Sequence, residues 1–516
     1  MLKQGESKVA LNNFISGTYK QFGFFQSLAS HTHTCSMTTR SHERNLLLIS
    51  LDWTRPKDPP IALGHASILA NLFRKRVPVI ERAYGVNKPE FSTNSVVDFI
   101  LQNANQTNAT DLAIGAFVWN ESVLQTILSR VRRGGFSGRI ILGGPQISYV
   151  KNGIESYYPL ADVFIRGYAE EALAQFMSSQ DEKPAIPGVH YANDTDLGLS
   201  AKIDLSDIPS PFLSGVIKPQ PFIRWETQRG CPFRCSFCQH RESDSTQQRR
   251  HFEESRIMRE IEWITCHPII NDIAVLDPIF NSGPNYVNVL TEFHKKGYGG
   301  KLSLQSRIEM VSPEFLDIVE KLNQKGQTVL EFGLQTIHRN EQVLIQRPNN
   351  MKKVDTVLRE VKKRNIPVEV SLIFGLPGQT VSSFQASVDY CKNYGVGTIY
   401  AFPLMLLRGT PLYENKRQLR MVESSDIQID EIPRIQQGIP HVVASDTFTF
   451  SEWQRMAAIA SSLDHYNEEM AHQANRTSSN KITDNLQQSW WGKRVSLNDR
   501  ETTENATPAP STCLRK

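Results

Sequence analysis

Short apolar runs alternate with segments of helical periodicity twice along this chain, and this alternation limits the fold more than any other feature of the sequence. The first series begins at NLLLISLDW (45–53) and ends near residue 185. The second begins at PFIRWETQR (221–229) and ends near residue 415. Strands that alternate with helices at short intervals form parallel sheets with helices packed on them. The sequence therefore predicts an α/β protein with two consecutive units of this kind.

The first unit, residues 43–185, is predicted to be a doubly wound, Rossmann-like parallel sheet. Open parallel sheets bind ligands at the carboxyl ends of their strands. The candidate binding loops are therefore Asp52–Gly64, Ala116–Glu121 and Gly143–Ser148. Within the last loop, Gly143 and Gly144 would let a flat or anionic group approach the backbone closely.

The second unit, residues 221–415, follows a linker predicted over 186–220, where prolines prevent a continuous helix or a central strand. Six strand–helix steps in this unit predict a partial (β/α)6 TIM barrel, an open relative of the eightfold barrel. The segment MKKVDTVLREVKKR (351–364) has its apolar residues on a single helical face, as expected for a helix packed on such a barrel.

The remaining segments give weaker signals. Residues 1–42 are expected to form a poorly ordered lead-in, 416–474 a C-terminal helical extension, and 475–516 a disordered tail rich in Asn, Ser, Thr and Pro. No run of about 18 apolar residues is present, and the first residues lack the apolar core of a secretory signal. Of the seven cysteines, three are clustered and the rest are scattered, which indicates a ligand cluster in a reducing compartment and not a disulfide framework. Together these features predict a cytoplasmic protein without a membrane partner.

Three of the seven cysteines, Cys231, Cys235 and Cys238, lie close together in the sequence. Thiolates are the usual ligands of iron–sulfur clusters, and a short loop with these spacings can bind one face of a four-iron cluster. Because the loop offers three ligands, the fourth iron would be open to a substrate or cofactor. The alternatives are simple packing of the thiols and a zinc site, for which His240 and His251 are the nearby additional ligands.

The spacing CxxxCxxC, with Phe237 before the last cysteine, resembles the signature of the radical S-adenosylmethionine (SAM) superfamily. The resemblance covers about residues 221–415, through the segments RWETQRGCPFRCSFC, VLEFGLQTIH, VSLIFGLPGQT and PLMLLRGTPLYE in their expected order. It implies that Cys231, Cys235 and Cys238 bind a [4Fe–4S] cluster and act in catalysis through this ligation. It also implies that Phe237 packs near the adenine of SAM.

Other residues match family positions that contact SAM. The resemblance implies that Gln335 and Arg347 bind SAM, with the guanidinium directed toward the SAM carboxylate. From the residues alone, Arg347 could equally be a surface charge at the start of a helix. Asp277 lies where many family members carry a Gly-Gly-Glu turn that binds the SAM amino group, and the resemblance implies that it contacts SAM, although this chain has Leu276-Asp277-Pro278 in place of that turn.

The first unit resembles the cobalamin-binding domains that precede the barrel in cobalamin-dependent (class B) radical SAM enzymes. The matching segments are ILGGPQIS, ADVFIRGYAEEALAQF and DLSDIPSPFLSG, in that order. The resemblance implies that Gly143 and Gly144 contact cobalamin. The Asp-x-His-x-x-Gly motif is absent, although His65 stands near the corresponding loop, so bound cobalamin would lack a histidine lower ligand. A cobalamin-free relic of the domain is the alternative.

The resemblance implies an enzyme that reductively cleaves SAM at the cluster. The favoured reaction is cobalamin-dependent methylation of an unactivated carbon in a small-molecule or natural-product substrate. The expected partners are this substrate and a one-electron reductant such as flavodoxin or ferredoxin. The net charge of +4 gives no electrostatic footprint for nucleic acid. The alternatives are a cobalamin-associated radical cyclase or rearrangement enzyme, and a non-catalytic metal-binding scaffold.

Overall fold

The computed structural model describes residues 44–104, 110–240, 249–425 and 439–477. All of these residues belong to one compact unit of the chain, His42–Lys516. The other unit, Met1–Ser41, lies outside the described residues, as do the lead-in predicted over 1–42 and nearly all of the tail predicted from residue 475. Among the described residues, no helix has both the length and the apolar character needed to cross a membrane.

The N-terminal part of the described chain, here called the sheet lobe, is built on a six-stranded sheet. Its strands are β1 (Asn45–Asp52), β2 (Val79–Gly85), β3 (Thr110–Gly115), β4 (Ile140–Gly143), β5 (Val163–Ile165) and β6 (Val189–Tyr191). Its helices are α1 (Leu63–Arg74), α2 (Thr93–Ala104), α3 (Glu121–Arg133), α4 (Pro145–Ser148), α5 (Ile154–Tyr157) and α6 (Ala169–Ser178). The strand order is β2-β1-β3-β4-β5-β6.

Helices cover both faces of this sheet. Ile100 of α2 and Ile127 of α3 belong to the apolar core on one face, whereas Leu69 of α1 and Phe176 of α6 belong to the core on the other. The doubly wound fold is therefore confirmed. Strands β1 to β5 are parallel, but β6 is antiparallel to β5. This edge strand lies in the predicted linker and has only three residues, too few to show a periodicity.

The C-terminal part, here called the barrel lobe, contains six parallel strands that form an open barrel. The six barrel strands are β7 (Phe222–Trp225), β10 (Asp272–Val275), β11 (Lys301–Ser306), β12 (Gln327–Gln335), β13 (Val368–Phe374) and β14 (Thr398–Pro403). Between β7 and β10, a separate short antiparallel pair is formed by β8 (Gln228–Arg229) and β9 (Arg250–His251). The helices are α7 (Glu254–Thr265), α8 (Tyr286–Lys295), α9 (Pro313–Leu322), α10 (Arg339–Leu344), α11 (Met351–Lys363), α12 (Val381–Asn393) and α13 (Pro411–Glu414). The barrel order is β14-β13-β12-β11-β10-β7, so β7 and β14 are its edges and the predicted partial barrel is confirmed.

A further helix packs on the end of the barrel. It is α14 (Phe450–Thr477), and it follows the antiparallel pair β15 (Val422–Ser424) and β16 (His441–Ala444). Its Trp453 is fully buried against Phe374 at the end of β13, with the ring centroids 5.6 Å apart. On α11, the predicted apolar face is buried as expected from its spacing.

The loop after β1 links the two lobes. Nζ of Lys57 lies 2.8 Å from Oδ2 of Asp272, and 4.5 Å from the ring centroid of Phe222. Oδ1 of Asp58 lies 2.6 Å from Nη2 of Arg224. Since these partners belong to β7 and β10, a loop of the sheet lobe is fixed by ion pairs to one edge of the barrel.

Candidate functional site

The three clustered cysteines lie in the loop that follows β7 and β8, at the carboxyl end of the barrel strands. All three are free of disulfides, and Cys235 is buried. The loop is anchored on both sides. The backbone N–H of Ser236 donates to the carbonyl of Ile345 (2.9 Å), and the N–H of Leu412 donates to the carbonyl of Ser236 (3.0 Å). This anchoring holds the cysteine loop between the end of α10 and the start of α13.

The electrostatics of the loop suit a metal cluster. Burial raises the pKa of Cys231, and it raises the pKa of Cys238 to about 12; the charges of the other cysteines add to both effects. Thiols whose pKa values are raised in this way would not ionise together unless bound metal compensated their charge. The donor set therefore fits an iron–sulfur cluster.

A zinc site, the alternative considered from the sequence, needs several ligands that converge on one ion. Within the part of the chain that the structure describes, no group of three His, Cys, Asp or Glu side chains is placed to hold a single metal ion. Thiolates that each bind a different iron of a cluster need not converge on one point.

Arg347 lies beside the cysteine loop. Its side chain is buried, with Nη1 3.8 Å from Sγ of Cys235 and Nη2 donating to the carbonyl of Gly333. The interpretation of Arg347 as a surface charge is therefore wrong. Nε of this guanidinium is buried without a hydrogen-bond partner, which is unusual for a charged group and fits a site for an anionic ligand.

Gln335 is the last residue of β12, and its side chain, like that of Arg347, lies beside Gly333. A Cβ on Gly333 would lie 2.5 Å from Nε2 of Gln335 and 3.7 Å from Nη2 of Arg347. Gln335 has a φ of 68°, and the strand register shifts next to it. Its Oε1 is buried without a partner. A strained backbone and an unpaired buried oxygen at one residue are typical of a ligand-binding position.

Asp277, two residues after β10, has a different environment from the one expected. Its Oδ1 accepts hydrogen bonds from the N–H groups of Thr227 (2.7 Å) and Gln228 (3.1 Å), and its Oδ2 accepts from the Thr227 hydroxyl (2.5 Å). Burial raises the pKa of Asp277 to about 7. The carboxyl group thus braces the segment that leads into the cysteine loop, and the predicted contact with SAM would require these bonds to open.

The remaining predicted residue of the barrel lobe, Phe237, lies in the cysteine loop itself. Phe237 is half-buried and packs against the barrel core. Gly375 has a φ of 84°, and its N–H donates to Oε1 of Gln379 (2.8 Å), so this glycine shapes the turn after β13. The guanidinium of Arg307 lies 3.8 Å from the ring centroid of Phe233, within the cysteine loop.

A cavity of about 530 Å³, here called the interlobe cavity, lies where the carboxyl ends of the two sheets meet. Its wall from the sheet lobe includes Gly144, Pro145, Ser148, Tyr149, Gly167, Tyr168, Ser200, Ala201 and Lys202. Its wall from the barrel lobe includes Glu226, Gln228, Arg229, Gly230, Gln239, His240, Arg250, Leu276, Pro278 and Gln305. The cavity therefore borders the cysteine loop directly.

Only one of the three binding loops predicted in the sheet lobe, Gly143–Ser148, contributes to this wall. Gly144 lines the cavity, whereas Gly143 does not. Gly144 has a φ of 91°, and a Cβ there would lie 2.7 Å from the carbonyl oxygen of Ala116, so only glycine fits. His65 is outside the wall and lies 3.4 Å from Glu81.

Sequence reasoning missed Arg229 in this wall. Its Nη1 lies 2.6 Å from Oε1 of Glu170 in the sheet lobe, and its Nη2 lies 2.7 Å from Oε1 of Glu226 in the barrel lobe. Burial alone would lower the pKa of Arg229, but the two carboxylates raise it above its ordinary value. The position of Arg229 two residues before Cys231 was the available signal. Its partner Glu170 could not be found, because the contact exists only once the lobes meet.

Residues 225–391 match the family model described as the radical SAM superfamily. This chain contains a radical SAM domain. A curated relative, the cobalamin-dependent radical SAM methyltransferase TokK of Streptomyces tokunonensis, is 24% identical over 320 residues, which cover 55% of this chain and 45% of TokK. The 2-(S-pantetheinyl)-carbapenam-3-carboxylate methyltransferase of Streptantibioticus cattleyicolor is 22% identical over 376 residues, covering 63% of this chain and 51% of that protein. The chain thus spans about half the length of these curated relatives.

Solved structures show that the fold extends beyond the radical SAM domain. The methyltransferase TsrM from Kitasatospora setae, solved with tryptophan substrate and a SAM analogue, aligns with a TM-score of 0.59 at 17% identity, covering 74% of this chain and 77% of TsrM. The cobalamin-dependent enzyme OxsB, solved with aqua-cobalamin and SAM, aligns with a TM-score of 0.60 at 14% identity, covering 85% of this chain and 69% of OxsB. Both lobes therefore have the fold of cobalamin-dependent radical SAM enzymes.

Proposed function

We propose that this chain is a cobalamin-dependent radical SAM methyltransferase that acts on an unactivated carbon of a small molecule. The observation that carries the proposal is that the cysteine loop lies between two ligand-binding features. On one side are the unpaired polar atoms of Gln335 and Arg347, and on the other is the interlobe cavity. When bound, the cluster would supply the electron that cleaves SAM, and cobalamin would carry the methyl group.

The barrel lobe would hold the cluster and SAM. Cys231, Cys235 and Cys238 would ligate the cluster. The planar guanidinium of Arg347 would take the SAM carboxylate, because Nε is buried without a partner and Nη1 already lies next to Cys235. Gln335 would bind SAM through its side-chain amide, whose unpaired oxygen can accept a hydrogen bond and whose nitrogen can donate one.

The sheet lobe would hold cobalamin in the interlobe cavity. Gly144 brings backbone to the cavity surface, and Ser148, whose hydroxyl accepts a hydrogen bond from the N–H of Gly167 (3.0 Å), fixes the neighbouring loop. The opposite wall includes polar residues, among them Gln228, Arg229 and Gln305. The absence of a cavity-lining histidine in the β1–α1 loop fits cobalamin without a histidine lower ligand.

The proposal is tested by anaerobic purification followed by iron and corrinoid analysis and by reduction in the presence of SAM. We expect a [4Fe–4S] spectrum, a bound corrinoid and release of 5′-deoxyadenosine. Cys235→Ala is expected to abolish the cluster and 5′-deoxyadenosine formation together. Cys391→Ala is the matched control, because Cys391 is also a buried free thiol and lies in the barrel core.

Each alternative gives a distinct result. A fully active Cys235→Ala protein would exclude the proposed ligation. Metal without SAM cleavage would indicate a non-catalytic scaffold. SAM cleavage with a product of unchanged mass would indicate a cobalamin-associated cyclase or rearrangement enzyme. A protein reductant such as flavodoxin or ferredoxin would supply the electron, and its replacement by a chemical reductant in the same assay tests that role.

A further inference from the structure

We propose that Glu121, Tyr149, Gln239 and Arg408, here called the clamp, fix the distance between the cysteine loop and the interlobe cavity. The inference rests on the proposed function, since the clamp would position the cluster relative to bound cobalamin. None of the four was singled out as a site residue from the sequence, although Glu121 ends the predicted loop Ala116–Glu121, and Tyr149 and Gln239 line the interlobe cavity. They are positioning residues that act through the loop they hold.

The first contact of the clamp joins the sheet lobe to the cysteine loop. The hydroxyl of Tyr149 donates to the carbonyl of Gln239, the residue that follows Cys238. Tyr149 and Gln239 both line the interlobe cavity. A displacement of the sheet lobe would therefore be transmitted to the backbone next to a proposed cluster ligand.

The second contact joins the same loop to the turn after β14. Nε2 of Gln239 donates to the carbonyl of Arg408 (2.8 Å). Nη2 of Arg408 lies 2.8 Å from Oε1 of Glu121, at the start of α3 in the sheet lobe. Burial lowers the pKa of Arg408, but Glu121 more than offsets this and holds the pKa above its ordinary value. The half-buried ion pair thus closes a ring of contacts across the two lobes.

The turn after β14 contains a glycine where it meets the sheet lobe. Gly409 has a φ of 73°, and a Cβ there would lie 2.0 Å from the carbonyl oxygen of Tyr149, so the turn presses directly on the sheet lobe. Three residues later, Leu412 donates its N–H to Ser236 inside the cysteine loop. The segment Arg408-Gly409-Thr410 therefore contacts the sheet lobe and leads at once into the anchor of the cysteines.

The proposed reaction gives a reason why the boundary between the two lobes should be rigid. Transfer between two bound groups depends steeply on their separation, and a misplacement of about 1 Å can reduce a rate roughly 100-fold. The clamp attaches the cysteine loop to the sheet lobe at one end of the loop, close to Cys238. The Asp277 brace holds the other end, ahead of Cys231.

The test uses the whole chain loaded with its cluster and cobalamin. The first variant, Glu121→Gln, removes the charge of the ion pair but keeps its shape, and Glu121 does not line the cavity. The second, Tyr149→Phe, removes only a hydroxyl. Tyr191→Phe is the matched control, because its hydroxyl donates to the carbonyl of Pro184 (2.7 Å) within the sheet lobe. The readout is the dipolar coupling between cobalt(II) and the reduced cluster, measured by electron paramagnetic resonance.

We expect Glu121→Gln and Tyr149→Phe to broaden the cobalt–cluster distance distribution at least twofold, with Tyr191→Phe unchanged. Glu121→Gln should still contain the cluster and cleave SAM. Hydrogen exchange of the peptide 229–240 should be faster in both clamp variants. Unchanged distances and exchange in both variants would overturn the clamp. A wild-type protein without cluster or corrinoid would instead overturn the proposed function, and the exchange measurement would still decide whether the clamp holds the loop.

Discussion

Nη1 of Arg347 lies 3.8 Å from Sγ of Cys235, although the two residues are 112 positions apart in the sequence. The contact forms because the loop after β7 and the segment after α10 both lie at the carboxyl end of the barrel. A fixed positive charge therefore stands beside the thiols, and it opposes the increase that burial causes in the pKa values of Cys231 and Cys238. The same charge is placed to bind an anionic group at the cluster.

Arg347→Lys is expected to reduce the affinity for SAM by roughly 10-fold or more. Lysine keeps the charge but lacks the planar fork that binds a carboxylate through two hydrogen bonds, and one charge-assisted bond contributes about 1.5–3 kcal/mol. The measurement is equilibrium binding of SAM to the anaerobic protein, with iron content determined in parallel. Arg259→Lys, on the exposed side of α7, is the control. An unchanged affinity would exclude Arg347 from the SAM site.

Asp277→Asn is expected to change how stability depends on pH. Burial raises the pKa of Asp277 from 3.8 to about 7, so between these values the folded chain binds more protons than the unfolded chain. The favourable contribution of this carboxyl group to the free energy of unfolding is complete below pH 3.8 and is lost as the pH rises to about 7. Relative to wild type, the free energy of unfolding of the variant should therefore rise by about 2 kcal/mol between pH 5 and pH 7.5.

Denaturant unfolding at the two pH values measures this difference. Asp194→Asn is the control, because Asp194 is exposed and pairs with Lys183 at the surface. A difference between Asp277→Asn and wild type that stays constant across this pH range would show that Asp277 is ionised throughout.

Gly144→Ala is expected to destabilise the protein and to weaken corrinoid binding. Gly135→Ala is a close control, because both glycines have a φ of 91°, but a Cβ at Gly135 meets no atom within 4 Å. Gly144 also has a ψ of −179°, a backbone region that is essentially restricted to glycine, so the difference between the variants reports this strain together with the contact with Ala116. We expect Gly144→Ala to lose about 1–3 kcal/mol more stability than Gly135→Ala. Equal losses in unfolding experiments would contradict the crowding at Gly144.

Trp453→Ala is expected to reduce the free energy of unfolding by about 3–5 kcal/mol, because it leaves a large cavity next to Phe374. It should also loosen the turn after β13, since a Cβ on Gly375 would lie only 3.5 Å from Trp453. Phe450→Ala, at an exposed position of the same helix, is expected to cost about 1 kcal/mol or less. Thermal unfolding of both variants provides the comparison, and similar midpoints would show that α14 does not support the barrel.

The sequence predicted the fold well because the strand and helix periodicities are local properties. The rule that parallel strands place their carboxyl ends at one edge accounts for Cys235 and Gln335 lying at the same end of the barrel, whereas Arg347 was expected there only from the resemblance to the radical SAM superfamily. It could not predict the environment of Asp277, whose carboxyl group is engaged by the backbone of the neighbouring strand end. Nor could it predict the clamp, since Tyr149 and Gln239 have no shared motif and meet only across the boundary between the lobes.

The ion pairs of the β1–α1 loop have a consequence for how this chain can be divided. Lys57 and Asp58 neutralise Asp272 and Arg224, which lie on the opposite lobe. A truncation between the lobes would break both ion pairs and so cost stability in each fragment. Neither half is therefore expected to behave as an independent module, and grafting this barrel onto another N-terminal domain would require that loop to be transplanted with it.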